Sequence, residues 1–322
     1  MGRDLGTAAL TGGKGFGKTL SNYGFYIVFV VVVVIFGCAT PTFLTAFNIQ
    51  QLLLSSCVSF IICTGLTFII LTGSLDMSVG SNAFVSAATA VILMKAGVPI
   101  PAALIVCILV GAGIGAVNGL MVSKLKMNSM LTTLGMMIGL RGVALLISKG
   151  RQVFFDSSIK EAGMFQVFGF LPVIVLIGIV MLIVGQVVLS KTRFGRNVIA
   201  IGCSQQAAEK MGIKVGKTMM TLFVFSGICS AIGGIAAMIN VGAVQPYMGV
   251  GLEFTTVTAI VLGGTSLFGG KGSLIPGTIL GILMLVIIEN GLGLLGASPF
   301  IYPFVRGLII FIAMFADSIK NR

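Results

Sequence analysis

The sequence has 322 residues, of which 57% are hydrophobic and only 9% are charged, and its mean hydropathy is +1.14. A soluble domain of this length needs a far more charged surface, so the composition excludes a water-soluble globular protein. The formal net charge of +12 would suit a nucleic-acid partner, but the basic residues lie at the ends of apolar runs rather than on one face. That distribution is typical of membrane orientation, so we expect the lipid bilayer, and no nucleic acid, as the surroundings of this chain.

Apolar runs fill most of the length, and several reach the roughly 20 residues that cross a hydrocarbon layer about 30 Å thick. We predict an all-α polytopic membrane protein with about ten transmembrane helices, some of them broken. Residues 1–23 are expected to form a flexible basic cytoplasmic tail before a single transmembrane domain over residues 24–322. The predicted spans are residues 24–40, 48–72, 79–95, 100–123, 128–148, 171–190, 217–241, 253–268, 273–295 and 300–318.

Ten crossings place both termini on one side of the membrane. If that side is the cytoplasm, it receives fourteen of the 20 Lys and Arg residues, and the outer side receives only Lys95, Lys149, Arg151 and Lys160. The positive-inside rule therefore predicts cytoplasmic N- and C-termini. Residues 149–170 then form the one sizeable periplasmic loop, for which a docking surface and a solvated connector are both open.

Two stretches rich in Gly and Ser, Leu71–Gly80 and Leu262–Gly272, interrupt the apolar runs and resemble each other. Broken helices are tolerated at membrane depth only where protein or a water-filled path satisfies the freed backbone. A third stretch, Gly12–Thr19, matches the phosphate-loop pattern G-x-x-x-x-G-K-[ST], but it lacks the strand–loop–helix context of such loops. We interpret it as part of the basic tail.

Carboxylates and amides inside predicted spans are costly, so each carries a functional hypothesis. We interpret Asp76 as a cap for the backbone amides of the helix that follows, with direct solute contact as the alternative. Glu289 is the better candidate for a polar group on a translocation path. Asn118 and Asn290 complete the list of pathway candidates.

Other intramembrane residues are interpreted as structural. Pairing of Glu289 or Glu253 with Arg306 or Arg141 is an open alternative, so Glu253 and Arg306 are structural candidates. A stripe of glycines at four-residue spacing is typical of closely packed membrane helices; it consists of Gly111, Gly115 and Gly119.

Enzyme chemistry is not expected of this chain. It has no His, so a Ser/His/Asp or Cys/His arrangement is impossible, and no carboxylate pair has metal-site spacing. The six Cys show no CxxC spacing. We therefore predict no catalytic residue, no metal site and no cofactor bound by this chain.

The longest polar interval is the loop of residues 191–217. Its centre, Ser204–Ile213, reads as a short helix, because Ser204 is a good N-cap and Gly212 a good terminator. A helix this short is unstable alone in water and must pack against the bundle or against a soluble partner. By composition, an ordinary inner loop that only carries orientation charge remains an alternative.

Several motifs together resemble the permease subunits of ribose- and galactoside-type bacterial ABC importers for monosaccharides. The loop contributes Thr192–Asn197, Ala200–Gly202, Ala207–Ala208 and Gly212–Ile213. The rest of the chain contributes further matches in the same order: Thr72–Ser81, Asn118–Gly119, Lys124–Lys126, Thr133–Gly135, Arg141–Gly142, Val261–Ser266, Gly269–Gly272 and Asn290–Leu292.

The resemblance implies an inner-membrane homodimer of permeases, a cytoplasmic two-cassette ATPase that binds ATP and Mg²⁺, and a periplasmic sugar-binding protein. It also implies that the middle of the loop is the coupling helix that docks into the ATPase, which comprises Ser204, Gln205, Gln206, Ala207, Ala208, Glu209, Lys210, Met211, Gly212 and Ile213.

The sequence departs from the family pattern near two candidate residues. Thr255 stands where the family usually has an acidic residue, and Glu289 stands where it often has Asn. These departures bear on the solute, not on the class of protein. The rival class is an ion-coupled secondary transporter or channel that uses Asp76, Glu253 or Glu289 and needs no ATPase.

Overall fold

The structure is a computed structural model that describes residues 13–298 and 300–320, and these are folded almost entirely into α-helices. The first half contains α1 (Gly13–Ala39), α2 (Ala46–Ile70), α3 (Val79–Lys95), α4 (Ile100–Ser123), α5 (Ser129–Ser148), α6 (Ser157–Met164) and α7 (Val173–Lys191). The second half contains α8 (Arg193–Cys203), α9 (Gln205–Lys210), α10 (Val215–Val241), α11 (Leu252–Leu262), a π-helical turn (Leu274–Thr278), α12 (Ile279–Leu294) and α13 (Ile301–Lys320). Four two-residue strands complete the elements: β1 (Val153–Phe154), β2 (Gln166–Val167), β3 (Leu171–Pro172) and β4 (Ala243–Val244).

The expected all-α membrane architecture is confirmed. Within the described residues, six helices are long and apolar enough to cross a membrane: α2, α4, α5, α7, α10 and the continuous segment Leu274–Leu294. Four shorter apolar segments lie in α1, α3, α11 and α13. Every predicted span overlaps one of these helices, but the first helix already begins at Gly13 rather than at Gly24. The remaining residues of the predicted tail, 1–12, lie outside the described residues.

Helices α2 and α10 form the centre of the bundle. An 18-residue window of α2 is 83% buried, whereas the corresponding window of α5 is 17% buried. Helix α10 packs against α4, α2 and α3, and α5 packs mainly against α3. The most buried helices are therefore surrounded by helices that keep one apolar face free.

The two Gly- and Ser-rich interruptions meet each other in the folded chain. The amide of Gly270 donates a 2.8 Å hydrogen bond to the carbonyl of Leu71, although the two residues belong to opposite ends of the sequence. Positive φ angles of 75° at Gly73 and 73° at Gly270 let both backbones turn at this contact. Backbone groups freed by one broken helix thus find partners in the other, as membrane burial requires.

The loop of residues 149–170 contains short elements of secondary structure. Strand β1 pairs antiparallel with β4, so that Val153 lies opposite Val244. Helix α6 begins at the N-cap Asp156, which accepts a hydrogen bond from the amide of Ser158, and it buries Ile159. The loop therefore links the C-terminal end of α5 to the segment that follows α10.

Candidate functional site

Two consecutive helices, α8 and α9, occupy the polar interval between α7 and α10. Thr192 caps α8 by accepting a 3.2 Å hydrogen bond from the amide of Gly195. Ser204 ends α8 and caps α9, because its hydroxyl accepts a 3.2 Å hydrogen bond from the amide of Ala207. Gly212 follows α9 with a φ of 81°. The cap at Ser204 and the terminator at Gly212 are those expected from the sequence.

Helix α8 was missed by the sequence analysis, although the signal is present. The N-cap Thr192 is followed by apolar residues at helical spacing, Phe194, Val198 and Ile201, and the last two of these are buried. Because residues 191–196 are highly charged, we predicted a loop there. The helix also fixes the position of α9, which is separated from it by the single residue Ser204.

The end of α8 lies directly on the two broken stretches. A side chain at Gly202 would collide with the backbone carbonyl of Leu71 and with the amide of Gly270, so the absence of a Cβ permits the approach. The thiol of Cys203 lies 4.0 Å from the carbonyl of Gly270. The α8–α9 unit is thus in backbone contact with the interruptions of two different membrane segments.

Helix α9 presents most of its surface outward. Ala208 is fully buried, whereas Met211 is 68% exposed. The side-chain amide of Gln205 donates a 3.3 Å hydrogen bond to the Glu209 carboxylate, one helical turn further along the exposed side of α9. The other candidate coupling residues with exposed side chains are Ser204, Gln206, Ala207 and Lys210. A helix of six residues with one buried side chain offers a surface rather than a core element.

A cavity of about 190 Å³ lies between α9 and the membrane helices. Gln205 lines it from α9, Ser74 from the first broken stretch, Lys126 from the α4–α5 connection, Ser129 from the start of α5, and Met219 from α10. The surroundings of α9 are therefore less tightly packed than the glycine contact at the end of α8.

The intramembrane candidate Asp76 binds Ser78, the residue directly before α3. Its Oδ1 accepts hydrogen bonds from the Ser78 amide at 3.0 Å and the Ser78 hydroxyl at 2.6 Å, and its Oδ2 accepts one from Ser226 at 3.1 Å. Asn118 donates a 2.9 Å hydrogen bond to the Ser78 hydroxyl. Asp76 and Asn118 are both buried. No side chain of the described residues caps the amides inside the first turn of α3, so capping and solute contact by Asp76 both stay predictions.

The pathway candidates of α12 make contacts between helices. Glu289 Oε1 accepts two hydrogen bonds from Arg306 of α13, at 3.0 Å from Nε and 2.5 Å from Nη2. Asn290 exchanges two amide hydrogen bonds with Asn48 of α2. Of the pairings left open by the sequence, Glu289 with Arg306 is the one that the structure contains.

Glu253 and Arg141 come close to the same backbone segment without forming an ion pair. Glu253 is 3% exposed; its Oε1 accepts a 3.3 Å hydrogen bond from the Gly251 amide, and its Oε2 has no partner among the described residues. Arg141 Nη2 donates to the Ser81 hydroxyl and to the Gly249 carbonyl, each at 3.4 Å. Glu253 is thus held by backbone rather than by either arginine.

The glycine stripe of α4 faces α10. Side chains at Gly111 and Gly115 would collide with the carbonyls of Gly227 and Phe223, and one at Gly119 would collide with Met220. The two backbones touch along this line, which is the close helix approach that small residues permit in membranes.

These features describe a multi-pass helical membrane protein with two short helices in the polar interval between α7 and α10. Residues 48–314 match the family model described as the permease component of the branched-chain amino acid transport system, and the chain belongs to this family.

Characterised relatives cover nearly the whole chain. The L-arabinose transport system permease protein AraH of Escherichia coli K12 is 35% identical, over 98% of this chain and 96% of the relative. The ribose import permease protein RbsC of the same organism is 33% identical, over 92% and 93% of the two chains. The D-allose transport system permease protein AlsC is also 33% identical, over 94% and 93%. No solved structure matches the chain.

Proposed function

We propose that this chain is the transmembrane subunit of an ATP-binding-cassette importer that moves a monosaccharide or a related polar solute across the bacterial inner membrane. The observation that carries the proposal is the exposed helix α9 in a chain from this permease family. Helix α9 follows α8, and the end of α8 contacts the two broken membrane segments. ATP is hydrolysed on a separate ATPase subunit, and this chain binds no ATP, Mg²⁺ or other cofactor itself.

The proposed topology has ten crossings with both termini in the cytoplasm. Six long apolar helices and four shorter ones support it, together with the excess of Lys and Arg on the side that carries α8 and α9. Helix α6 and the β1–β4 pair then face the periplasm, where a solute-binding protein would dock. The bundle is one permease domain from residue 24 to the end.

Coupling in this proposal starts at α9. A two-cassette ATPase holds the exposed residues of α9, and closure of the cassettes moves the helix. Because Gly202 at the end of α8 touches Leu71 and Gly270, the motion reaches both broken stretches directly. These stretches separate α2 from α3 and α11 from α12, so their displacement changes the packing of four helices.

In this proposal the protein is a homodimer, and the second copy of the chain forms the other side of the translocation path. Helices α4 and α5 have windows only 22% and 17% buried, which leaves much of their surface available to lipid or to a second copy. A membrane importer with two cassettes needs two coupling helices, and two copies of this chain provide them.

The monosaccharide assignment rests on relatives whose names specify arabinose, ribose and allose. The family description names branched-chain amino acids instead. Relatives that match over nearly the full length carry more weight for solute class than a family-wide description.

An ion-coupled carrier is the alternative, and the side-chain geometry argues against two of the three carboxylates that it could use. Asp76 is occupied by Ser78 and Ser226, and Glu289 by Arg306. Glu253 keeps one oxygen without a partner among the described residues, so an uptake experiment decides between the two classes. Purified chain in proteoliposomes under a sodium or proton gradient should take up no sugar without the ATPase and the binding protein. Uptake by the lone chain would refute the importer proposal.

The docking of α9 is tested by a pair of glycine variants. Gly212 and Gly150 both have positive φ, 81° and 61°, and a Cβ would meet no atom within 4 Å at either position. Valine at either site carries the same backbone strain, roughly 1–2 kcal/mol, but only Gly212→Val lies beside α9. We expect Gly212→Val to weaken co-purification with the ATPase and to uncouple hydrolysis from uptake, and Gly150→Val to retain both. Equal behaviour of the two variants would contradict the docking role.

A further inference from the structure

The exposed face of α5 is apolar, and one charged residue, Arg141, lies at its edge. This face exposes Leu131, Ile138 and Leu146, and glycines without any neighbouring atom within 4 Å of a built Cβ lie between them: Gly135, Gly139 and Gly142. Arg141 lies on the same helix beside Gly142 and is only half-buried. An arginine is therefore accessible on one of the least buried apolar helices of the bundle.

Its depth makes this position unsuitable for contact with lipid. Arg141 precedes the outer end of α5 at Ser148 by two turns, or about 10 Å along the axis, inside a segment long enough to span the membrane. Arginine near the centre of a membrane helix costs at least about 2.5 kcal/mol, so such residues face the protein interior or water. The half-exposed side of Arg141 must therefore adjoin a polar, water-accessible space.

The guanidinium also has unused hydrogen-bonding capacity. Only Nη2 has partners among the described residues, and both of its hydrogen bonds, to Ser81 and to the Gly249 carbonyl, are 3.4 Å long. Arg306 differs, because two of its nitrogens are held by Glu289. The donors on Nε and Nη1 of Arg141 thus have no partner among the described residues.

A buried carboxylate lies behind the same backbone segment. A Cβ on Gly80 would collide with both the Gly249 carbonyl oxygen and Glu253 Oε2. Glu253 Oε2 has no hydrogen-bond partner in the described residues. Glu253 thus lies near the backbone segment that Arg141 contacts, although the two side chains form no ion pair.

We propose that Arg141 lines the translocation path and donates hydrogen bonds to hydroxyl groups of the passing solute, a neutral polyhydroxylated molecule. This proposal rests on the importer function proposed above and assigns one residue of its path. The fork of donors on a guanidinium matches adjacent hydroxyl oxygens better than the single point charge of lysine does. Glu253 is 3% exposed and does not touch the solute.

Accessibility tests the location of Arg141 independently of transport. Arg141→Cys and Val184→Cys are made with the exposed cysteines Cys38 and Cys203 replaced by Ser, and the complete importer is treated in membranes with a quaternary-ammonium methanethiosulfonate. Val184 is the control, because it is 55% exposed on the apolar face of α7. We expect at least tenfold faster labelling of Arg141→Cys, a difference of ~1.4 kcal/mol in activation free energy. Equal labelling, or a disulfide between two copies in place of labelling, would overturn the proposal.

Transport by the complete importer tests solute contact. We expect Arg141→Met to lower kcat/KM for D-ribose, L-arabinose or D-allose by about tenfold or more, as loss of hydrogen bonds to a charged donor does, and Arg141→Lys to restore part of it. The unfolding temperature of each variant, measured in parallel, separates loss of solute contact from loss of folding. Wild-type uptake of these sugars with normal uptake by Arg141→Met would refute the role of Arg141. Absence of uptake by the wild type would refute the proposed solute class instead, and the labelling ratio would still decide whether Arg141 lines a water-filled path.

Discussion

Asn48 of α2 and Asn290 of α12 form a reciprocal amide pair, in which each Nδ2 donates to the other's Oδ1 at 3.0 Å and 2.9 Å. Asn48 also donates to the Phe43 carbonyl, so this pair anchors the start of α2. An amide inside a membrane bundle must find such a partner, because lipid offers none.

We expect Asn290→Ala to lower the free energy of unfolding in detergent by about 1–2 kcal/mol, since hydrogen bonds between membrane helices contribute about 0.6–2 kcal/mol each. Asn48→Ala should cost at least as much. The double variant should cost less than the sum of the two single variants, because both remove the same pair. Strict additivity in a double-mutant cycle would show that the pair does not stabilise the fold.

The ion pair of Glu289 and Arg306 predicts an assembly defect rather than a transport defect for Glu289→Gln. Both side chains are partly exposed, so the loss should lie between the ~1 kcal/mol of a surface pair and the ~3 kcal/mol of a buried one. Thermal unfolding of the purified chain measures it. The exchanged pair, Glu289→Arg with Arg306→Glu, should recover part of the loss. A transport defect at unchanged stability would indicate that Glu289 lines the translocation path instead.

The contact of α4 with α10 can be tested with two glycines of one helix. A Cβ on Gly115 would collide with the Phe223 carbonyl, whereas a Cβ on Gly113 would meet no atom within 4 Å. We expect Gly115→Val to destabilise the chain by about 3 kcal/mol or more, as severe overpacking does, and to lower its yield in membranes. Gly113→Val should stay close to the wild type. Similar yields and unfolding temperatures for the two variants would contradict the packing described.

The hydrogen bonds of Asp76 predict a graded loss of stability. Asp76→Asn keeps an oxygen for the Ser78 amide and should cost little, whereas Asp76→Ala leaves that amide and Ser226 without their acceptor. A buried polar group left without its partner costs about 1–3 kcal/mol, and the burial of these groups puts Asp76→Ala at the upper end. Unfolding in detergent provides the measurement, and hydrogen exchange at the start of α3 locates the effect. A larger defect in Asp76→Asn than in Asp76→Ala would indicate that the charge itself is required.

Much of the architecture follows from local sequence features, and the reason is the bilayer. Apolar length alone locates the long helices, such as Ala46–Ile70 and Val215–Val241, within a few residues, because runs of about 20 apolar residues form helices in a bilayer. Helix α11 ends at Leu262, six residues before the predicted end of its span at 268. Ser204 and Gly212 reveal α9, since caps and terminators act within one turn of chain.

Long-range partners could not be predicted in this way. Nothing near Glu289 indicates whether Arg306, Arg141 or solvent faces it, because that depends on how α12 and α13 cross. The pairing of β1 with β4 involves two residues on each side, too few for a recognisable strand pattern. Helix α8 was hidden by its charges, and the half-exposed environment of Arg141 becomes visible only after α3 and α5 are packed.

The hydrogen bond between Leu71 and Gly270 also constrains how the protein is made. While the ribosome delivers the first helices to the bilayer, the Leu71 carbonyl has no protein partner, since Gly270 is synthesised only after α11. A backbone carbonyl without a protein partner is satisfied by water. The end of α2 therefore stays hydrated until the segment after α11 arrives and replaces that water.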